Sequence, residues 1–363
     1  MSARTHVLYR LGQSLWLDTI TRAMLDDGTL ARHIDDLGIT GLTSNPTIFQ
    51  QALRGTAAYD DAVAAKVRRG AAGEELFFEL AIEDLARAAD LFRPVHERTG
   101  GVDGWVSLEV SPTLAYDARR TLESAVALHA RAGRDNLFIK IPGTAAGLPA
   151  IEEATFAGVP VNVTLLFSRE QYLAAAEAWM RGIERRIEAG LPARVCSVAS
   201  LFISRWDGAT AARLPEPLAN AVGIAVGRAA YRAYRDLLAS DRWQRLANFG
   251  ALPQRLLFAS TGTKDPSLPA TLYVEALAAP HTINTLPEKT LLAYAAHGVA
   301  RGIVPAGGGD AEATLAAVER AGVDLAEVGA TLQRDGAEAF VKSWHDLLAV
   351  VAEKSRATAG AGV

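Results

Sequence analysis

The stretch Asn136-Leu137-Phe138-Ile139-Lys140-Ile141-Pro142 decides how this chain folds. Its branched and aromatic apolar residues read as a β-strand, which follows Asn136 and is closed by Pro142 with Gly143. Side chains alternate along a strand, so Leu137, Ile139 and Ile141 point one way and Phe138 and Lys140 the other. Both faces are apolar apart from one ammonium, the pattern of a parallel sheet covered by helices, where a charge is costly unless it is paired or loses its proton. Two readings of Lys140 stand. It could lie at the strand's wet end and snorkel to solvent. Alternatively, burial could favour the neutral amine, which attacks a carbonyl and forms a Schiff base.

The strands on either side decide between them. Upstream, strand-like runs stand at Leu15–Thr19, Leu42–Pro46 and Gly104–Val110; downstream they stand at Val159–Leu166, Arg194–Leu201, Arg255–Thr261 and Thr282–Thr285. Between them lie helical segments: one through Leu25, Leu30, Ile34 and Leu37 that stops at Gly38, then Ala57–Arg69, Glu74–Phe92 and Tyr116–Ala132. Further helices span Arg169–Glu188, where Ser168 and Gln171 have capping-box spacing, then Leu218–Leu238, Leu268–Leu277 and a segment beginning at Pro287. Eight strands alternating with helices imply parallel pairing with right-handed crossovers, and within this length they suit a closed (β/α)8 TIM barrel. No Gly-x-Gly-x-x-Gly follows the first strand, which weakens a dinucleotide-binding alternative. One α/β domain over residues 1–356 is expected, with Leu325–Glu353 as one or two helices packed back on the barrel. Residues 357–363 read as a disordered small-residue tail.

Composition sets outer limits. The 363 residues are 50% hydrophobic, ample for a large core, and the net charge of −4 gives no reason to expect nucleic acid or an anionic membrane as partner. The single Cys196 rules out an internal disulfide framework and reads as a small buried hydrophobe. No signal-like leader opens the sequence and no apolar run is long enough to span a bilayer, so a cytoplasmic protein is expected. The seven histidines show no metal-ligand spacing, and no metal or cofactor is expected. Gly307-Gly308-Gly309 lacks the lysine of a phosphate-binding loop and reads as a turn before a helix. The stripe of Phe340, Trp344 and Leu347 could cover the barrel mouth or could be ordinary packing.

Function is carried by where the polar residues fall. In nearly every strand a lone polar side chain stands near the C-terminal end of an apolar run: Asp18, Asn45, Glu109, Lys140, Asn162 with Thr164, Ser200 and Ser260. Barrel active sites form at that face, so these residues converge there. Singly each has a plainer reading: Asp18 or Ser200 as a helix cap, Asn45 as a turn residue before Pro46, Glu109 as half of a surface ion pair. Together, a lysine and two carboxylates in one barrel mouth are the parts needed for imine chemistry.

Over almost its whole length the chain resembles the transaldolase family. Gly41-Leu42-Thr43-Ser44-Asn45-Pro46 is similar to the family's G-x-T-[ST]-N-P signature, Leu137–Lys140 to its Schiff-base strand and Val106–Asp117 to its glutamate strand. Asn162-Val163-Thr164-Leu165-Leu166-Phe167-Ser168 resembles its N-x-T-L-L-F-S segment, and Ser200 to Arg205 keeps its serine-to-arginine spacing. The length and the run Ala259–Pro266 are similar to the longer bacterial members.

The resemblance implies transfer of a dihydroxyacetone unit from sedoheptulose 7-phosphate to glyceraldehyde 3-phosphate in the non-oxidative pentose phosphate pathway. Lys140 would form the imine, Asp18 would act as base, and Glu109 with a water held by Thr164 would act as acid and base. Asn45 and Asn162 would hold the hydroxyls, and Ser200 and Arg205 match the phosphate-binding positions. One part departs from the shorter members: Ser260 is followed by Thr261 and Gly262 where a second arginine would stand. Lys264 could supply that charge or be a solvated loop lysine. The implied partners are small sugar phosphates, with the protein a monomer or homodimer. A fructose 6-phosphate aldolase and a non-catalytic sugar-phosphate-binding barrel are the alternatives.

Overall fold

A computed structural model describes residues 2–360. Eight parallel strands close into a barrel in sequence order. They are β1 (Gln13–Leu17), β2 (Gly41–Leu42), β3 (Trp105–Glu109), β4 (Leu137–Pro142), β5 (Val161–Leu166), β6 (Ser197–Phe202), β7 (Arg255–Ala259) and β8 (Thr282–Leu286), with helices packed outside. The alternation read from β4 holds: Lys140 enters the interior, whereas Leu137, Ile139 and Ile141 join the fully buried layer. Register then does the positioning. Glu109 pairs with Lys140 and Lys140 with Asn162, so the ends of three neighbouring strands bring these side chains level. Gly41 leaves room for Trp16, because a Cβ there would come within 2.5 Å of the indole.

Several boundaries differ from the sequence reading for local reasons. The segment before Gly38 is not one helix but Arg22–Asp26, Thr29–Arg32 and a π-turn His33–Leu37. The break falls at Gly28, whose φ of 75° ends the first piece. Asn45 and Pro46 leave the second strand to start the helix Pro46–Leu53, and this helix and Gly147–Phe156 were not foreseen. Ser168 caps its helix through the Gln171 N–H, but the Gln171 side chain accepts from Phe167 N, one residue before the cap. Cys196 is half-buried, and burial pushes its thiol up to about 11. The C-terminal segment is a single helix, Leu325–Gly360, that crosses the barrel's C-terminal end. It takes in residues 357–360 of the expected tail, and 361–363 lie outside the described residues.

The opposite end of the barrel is closed by charge. Arg255 donates to Asp103 at 2.9 Å, to Ser14 at 2.6 Å and to two backbone carbonyls, beside a cavity of about 410 Å³. Arg255→Met strands a buried carboxylate, so unfolding free energy should fall by about 3–5 kcal/mol. Chemical denaturation would read this loss, and the folded fraction should keep its full activity because the site lies at the other end.

Candidate active site

Lys140 sits at the C-terminal end of the barrel, 4% exposed. Its Nζ donates to the Ser44 carbonyl at 3.1 Å and to Glu109 Oε2 at 3.4 Å. The snorkelling alternative is therefore set aside: the amine is enclosed and aimed at a carboxylate. Burial pushes the Glu109 carboxyl up to about 7, against the pull of Lys140, with Asp18 adding to the rise. Glu109 is thus no surface ion-pair partner. Among the described residues, neither Glu109 Oε1 nor Thr164 Oγ1 has a hydrogen-bond partner although both are buried.

Asp18 follows β1 and faces the same space. Burial raises its carboxyl, while Lys140 and the Thr43 hydroxyl, which donates at 2.6 Å, hold the rise back. Thr43 is in turn 2.7 Å from the Thr285 hydroxyl. Asp18 does not cap the following helix; Thr21 does. Asn45 is a helix cap and not the turn residue read before Pro46. Its Oδ1 caps the helix Pro46–Leu53 through the Ile48 N–H at 3.0 Å, and it also lines the cavity above Lys140.

Asn162 and Ser200 form one chain below the amine. Ser200 Oγ donates to Asn162 Oδ1 at 2.7 Å, and Asn162 Nδ2 donates to Ser107 Oγ at 3.1 Å. Ser200 was expected at the phosphate end. It lines the same cavity as Arg205 and Lys264, and its hydroxyl donates to Asn162 on the neighbouring strand.

The polar residues meet around one cavity of about 440 Å³, lined by Asp18, Asn45, Lys140, Thr164, Ser200, Arg205, Ser260 and Lys264 among others. Glu109 and Asn162 back its wall. Arg205 has no carboxylate partner among the described residues, and burial lowers its guanidinium pKa. Asp207, two residues on, makes no salt bridge to it and accepts instead from Gly223 N and the Tyr273 hydroxyl. Burial lowers Lys264 as well, and the Arg205 charge adds to that shift, so the two cations share one neighbourhood. Ser260 adopts a φ of 55° and stands 3.0 Å from the Ser204 hydroxyl.

Sequence reasoning missed Thr43, Ser44, Thr285 and Gln333, and weighed Phe340 without deciding. Phe340 lies over the amine, its ring centre 5.9 Å from Lys140 Nζ, whereas Trp344 packs on Phe77 and Phe78. The stripe therefore divides between mouth and core. Gln333 Nε2 bridges the Gly143 and Leu165 carbonyls, just beyond Lys140 and Thr164, where Leu165 has a φ of 59°. Gly336 lets the same helix approach closely: a Cβ there would meet Leu165 at 3.1 Å and Arg205 at 3.4 Å. Among the described residues no group of three or more His, Cys, Asp or Glu could hold a metal ion, and no helix is long and apolar enough to cross a membrane.

The family model described as transaldolase/fructose-6-phosphate aldolase matches residues 15–351. A protein of Acidothermus cellulolyticus named transaldolase is 47% identical over 348 residues, covering 94% of each chain. Similar proteins of that name from Thermobifida fusca and Neisseria gonorrhoeae are 46% and 43% identical, covering 94% and 93% of this chain and 96% and 97% of their own.

Proposed function

The chain belongs to the transaldolase/fructose-6-phosphate aldolase family, and from that premise we propose that Lys140 carries its transaldolase reaction. This transferase reaction moves dihydroxyacetone from sedoheptulose 7-phosphate to glyceraldehyde 3-phosphate, leaving erythrose 4-phosphate and fructose 6-phosphate. One observation carries the residue assignment. The enclosed amine faces Glu109 across 3.4 Å, and Glu109 Oε1 and Thr164 Oγ1 are buried beside it with no partner among the described residues.

Glu109 takes a proton from the Lys140 ammonium, and the neutral amine attacks the ketose carbonyl carbon. The carbinolamine that forms loses its hydroxyl as water when Glu109, through a water shared with Thr164, returns the proton. Asp18 then removes the proton of the C4 hydroxyl. Burial, by raising its carboxyl, makes it the better base. The C3–C4 bond breaks, its electron pair moves into the protonated imine, and the aldehyde leaves. An incoming aldehyde reverses these steps. Asn45, Asn162 and Ser200 hydrogen-bond the hydroxyls of the retained unit, and Phe340 covers the amine while that unit waits. Arg205, Ser260 and Lys264 hold the phosphate, a role supported by two cations that share one neighbourhood and have no carboxylate partner among the described residues. A cytoplasmic location belongs to the same proposal, supported by the single cysteine and the phosphorylated substrates, and a monomeric or homodimeric state is proposed with it.

Borohydride reduction with fructose 6-phosphate, followed by peptide mass mapping, tests this reading. A three-carbon adduct on the Lys140 peptide is expected. Free dihydroxyacetone accumulating without an acceptor would point to the aldolase instead, and folded protein that takes no label would overturn the imine.

A further inference from the structure

The cavity has a third cation that the reaction as described does not use. Lys289 is the second residue of the helix Glu288–His297, directly after β8, and it lines the same cavity as Arg205 and Lys264. Its acidic neighbour is spent elsewhere, since Glu288 accepts from His33 at 2.8 Å. Among the described residues Lys289 has no carboxylate partner. Thr290, next in the chain, also lines the cavity, is 5% exposed, and its hydroxyl has no hydrogen-bond partner among the described residues. The helix opens on Pro287 with no side-chain cap, so the first N–H groups of the helix are free at this edge. The β7 loop closes against this helix start: a Cβ on Gly262 would lie 3.2 Å from Pro287 and 3.4 Å from Thr290 Oγ1. Lys264 follows two residues later and lines the same cavity.

We propose that Lys289 and Thr290, with the N–H groups opening their helix, form a second wall of the phosphate site, opposite Arg205. The inference deepens the reading above and rests on it for the identity of the phosphate as the substrate's. Its physical content is general. A helix N-terminus after the eighth strand of a barrel carries partial positive charge and unpaired donors, which suit a phosphate. The Thr290 hydroxyl, opening onto the cavity with no partner among the described residues, is free to donate to a phosphate oxygen. Gly262, where the resemblance would place a second arginine, leaves room beside Thr290, and Lys289 adds a cation from the β8 side to those of Arg205 and Lys264. Being on the rim, Lys289 acts on binding and not on the chemical steps at Lys140.

Steady-state kinetics of the full chain test this with Lys289→Ala, Lys289→Arg and Thr290→Val. The phosphate-dependent preference is the ratio of kcat/KM for fructose 6-phosphate to that for fructose as donor. It should fall about tenfold in Lys289→Ala, the loss of about one charge-assisted hydrogen bond, and recover in Lys289→Arg. Thr290→Val should lower it several-fold. Inorganic phosphate, titrated by calorimetry, should bind Lys289→Ala about tenfold more weakly than wild type. This second readout needs no turnover, so it still decides the proposal if the imine reading fails. Wild-type protein labelled on Lys140, with both ratio and phosphate affinity unmoved by Lys289→Ala, would overturn the second wall and leave the transaldolase reading intact.

Discussion

Lys140→Met should lose about four orders of magnitude or more in dihydroxyacetone transfer, and should take no borohydride label with fructose 6-phosphate. Methionine keeps the length and apolar stem of the lysine but has no nucleophilic amine. Lys140→Arg should be equally dead for a different reason. It keeps a cation facing Glu109, but a guanidinium does not give up its proton and so cannot form the imine. The pair separates chemistry from architecture. In Lys140→Met the Glu109 carboxyl loses the opposite charge that holds its pKa down, so it should bind a proton at still higher pH than in the native protein. In Lys140→Arg that rise should be absent or small. Label on another lysine in either variant, with turnover retained, would move the imine away from β4.

Much of this site is legible in the sequence because strands are periodic. Lys140 is conspicuous as the one charge in the strand-like stretch Leu137–Pro142, and alternation alone turns it toward Phe138's face. Asp18 and Glu109 stand out likewise, each at the end of a strand in a chain that alternates strand and helix. What stays hidden is whatever depends on contacts across the barrel. Thr43 and Thr285 are 242 residues apart and meet only because the ring closes β8 on β1. Ser200 matches a phosphate-binding position by spacing, yet its hydroxyl is claimed by Asn162 on the neighbouring strand. Spacing gives the strand and the level; it does not give the partner. Gln333 is illegible for the same reason, being a polar residue in a long amphipathic helix whose contacts lie with Gly143 and Leu165. Phe340 and Trp344 are four residues apart and share a helical stripe, but the cavity ends between them.

Glu109→Gln should pull activity and stability in opposite directions, with a pH dependence fixed by one carboxyl. Glutamine has nearly the shape of the protonated acid but cannot exchange a proton, so kcat should fall by about 10²- to 10⁴-fold. The label should still form on Lys140, more slowly, since the amine remains. The stability effect follows from burial, which raises Glu109 from 4.5 to about 7. Between those values the folded protein holds a proton that the unfolded chain has released. Stability contributed by this group is therefore fully present below about pH 4.5, falls as pH rises, and is lost above about 7. The penalty above that pH is on the order of 3 kcal/mol. Glutamine, mimicking the protonated form at every pH, escapes it. Denaturant titrations at pH 5 and pH 8 should accordingly find the two proteins close at the lower pH and Glu109→Gln the more stable at the higher. Asp18, whose charge adds to the rise of Glu109, is coupled to it, so the difference between the two proteins reports the loss of the Glu109 charge together with the easier ionisation of Asp18. The wild-type profile of kcat/KM should carry an inflection near 7 that Glu109→Gln lacks. A stability difference that does not change between the two pH values would mean that Glu109 is not held up by burial. A variant turning over at the native rate would remove it from the proton transfers at Lys140.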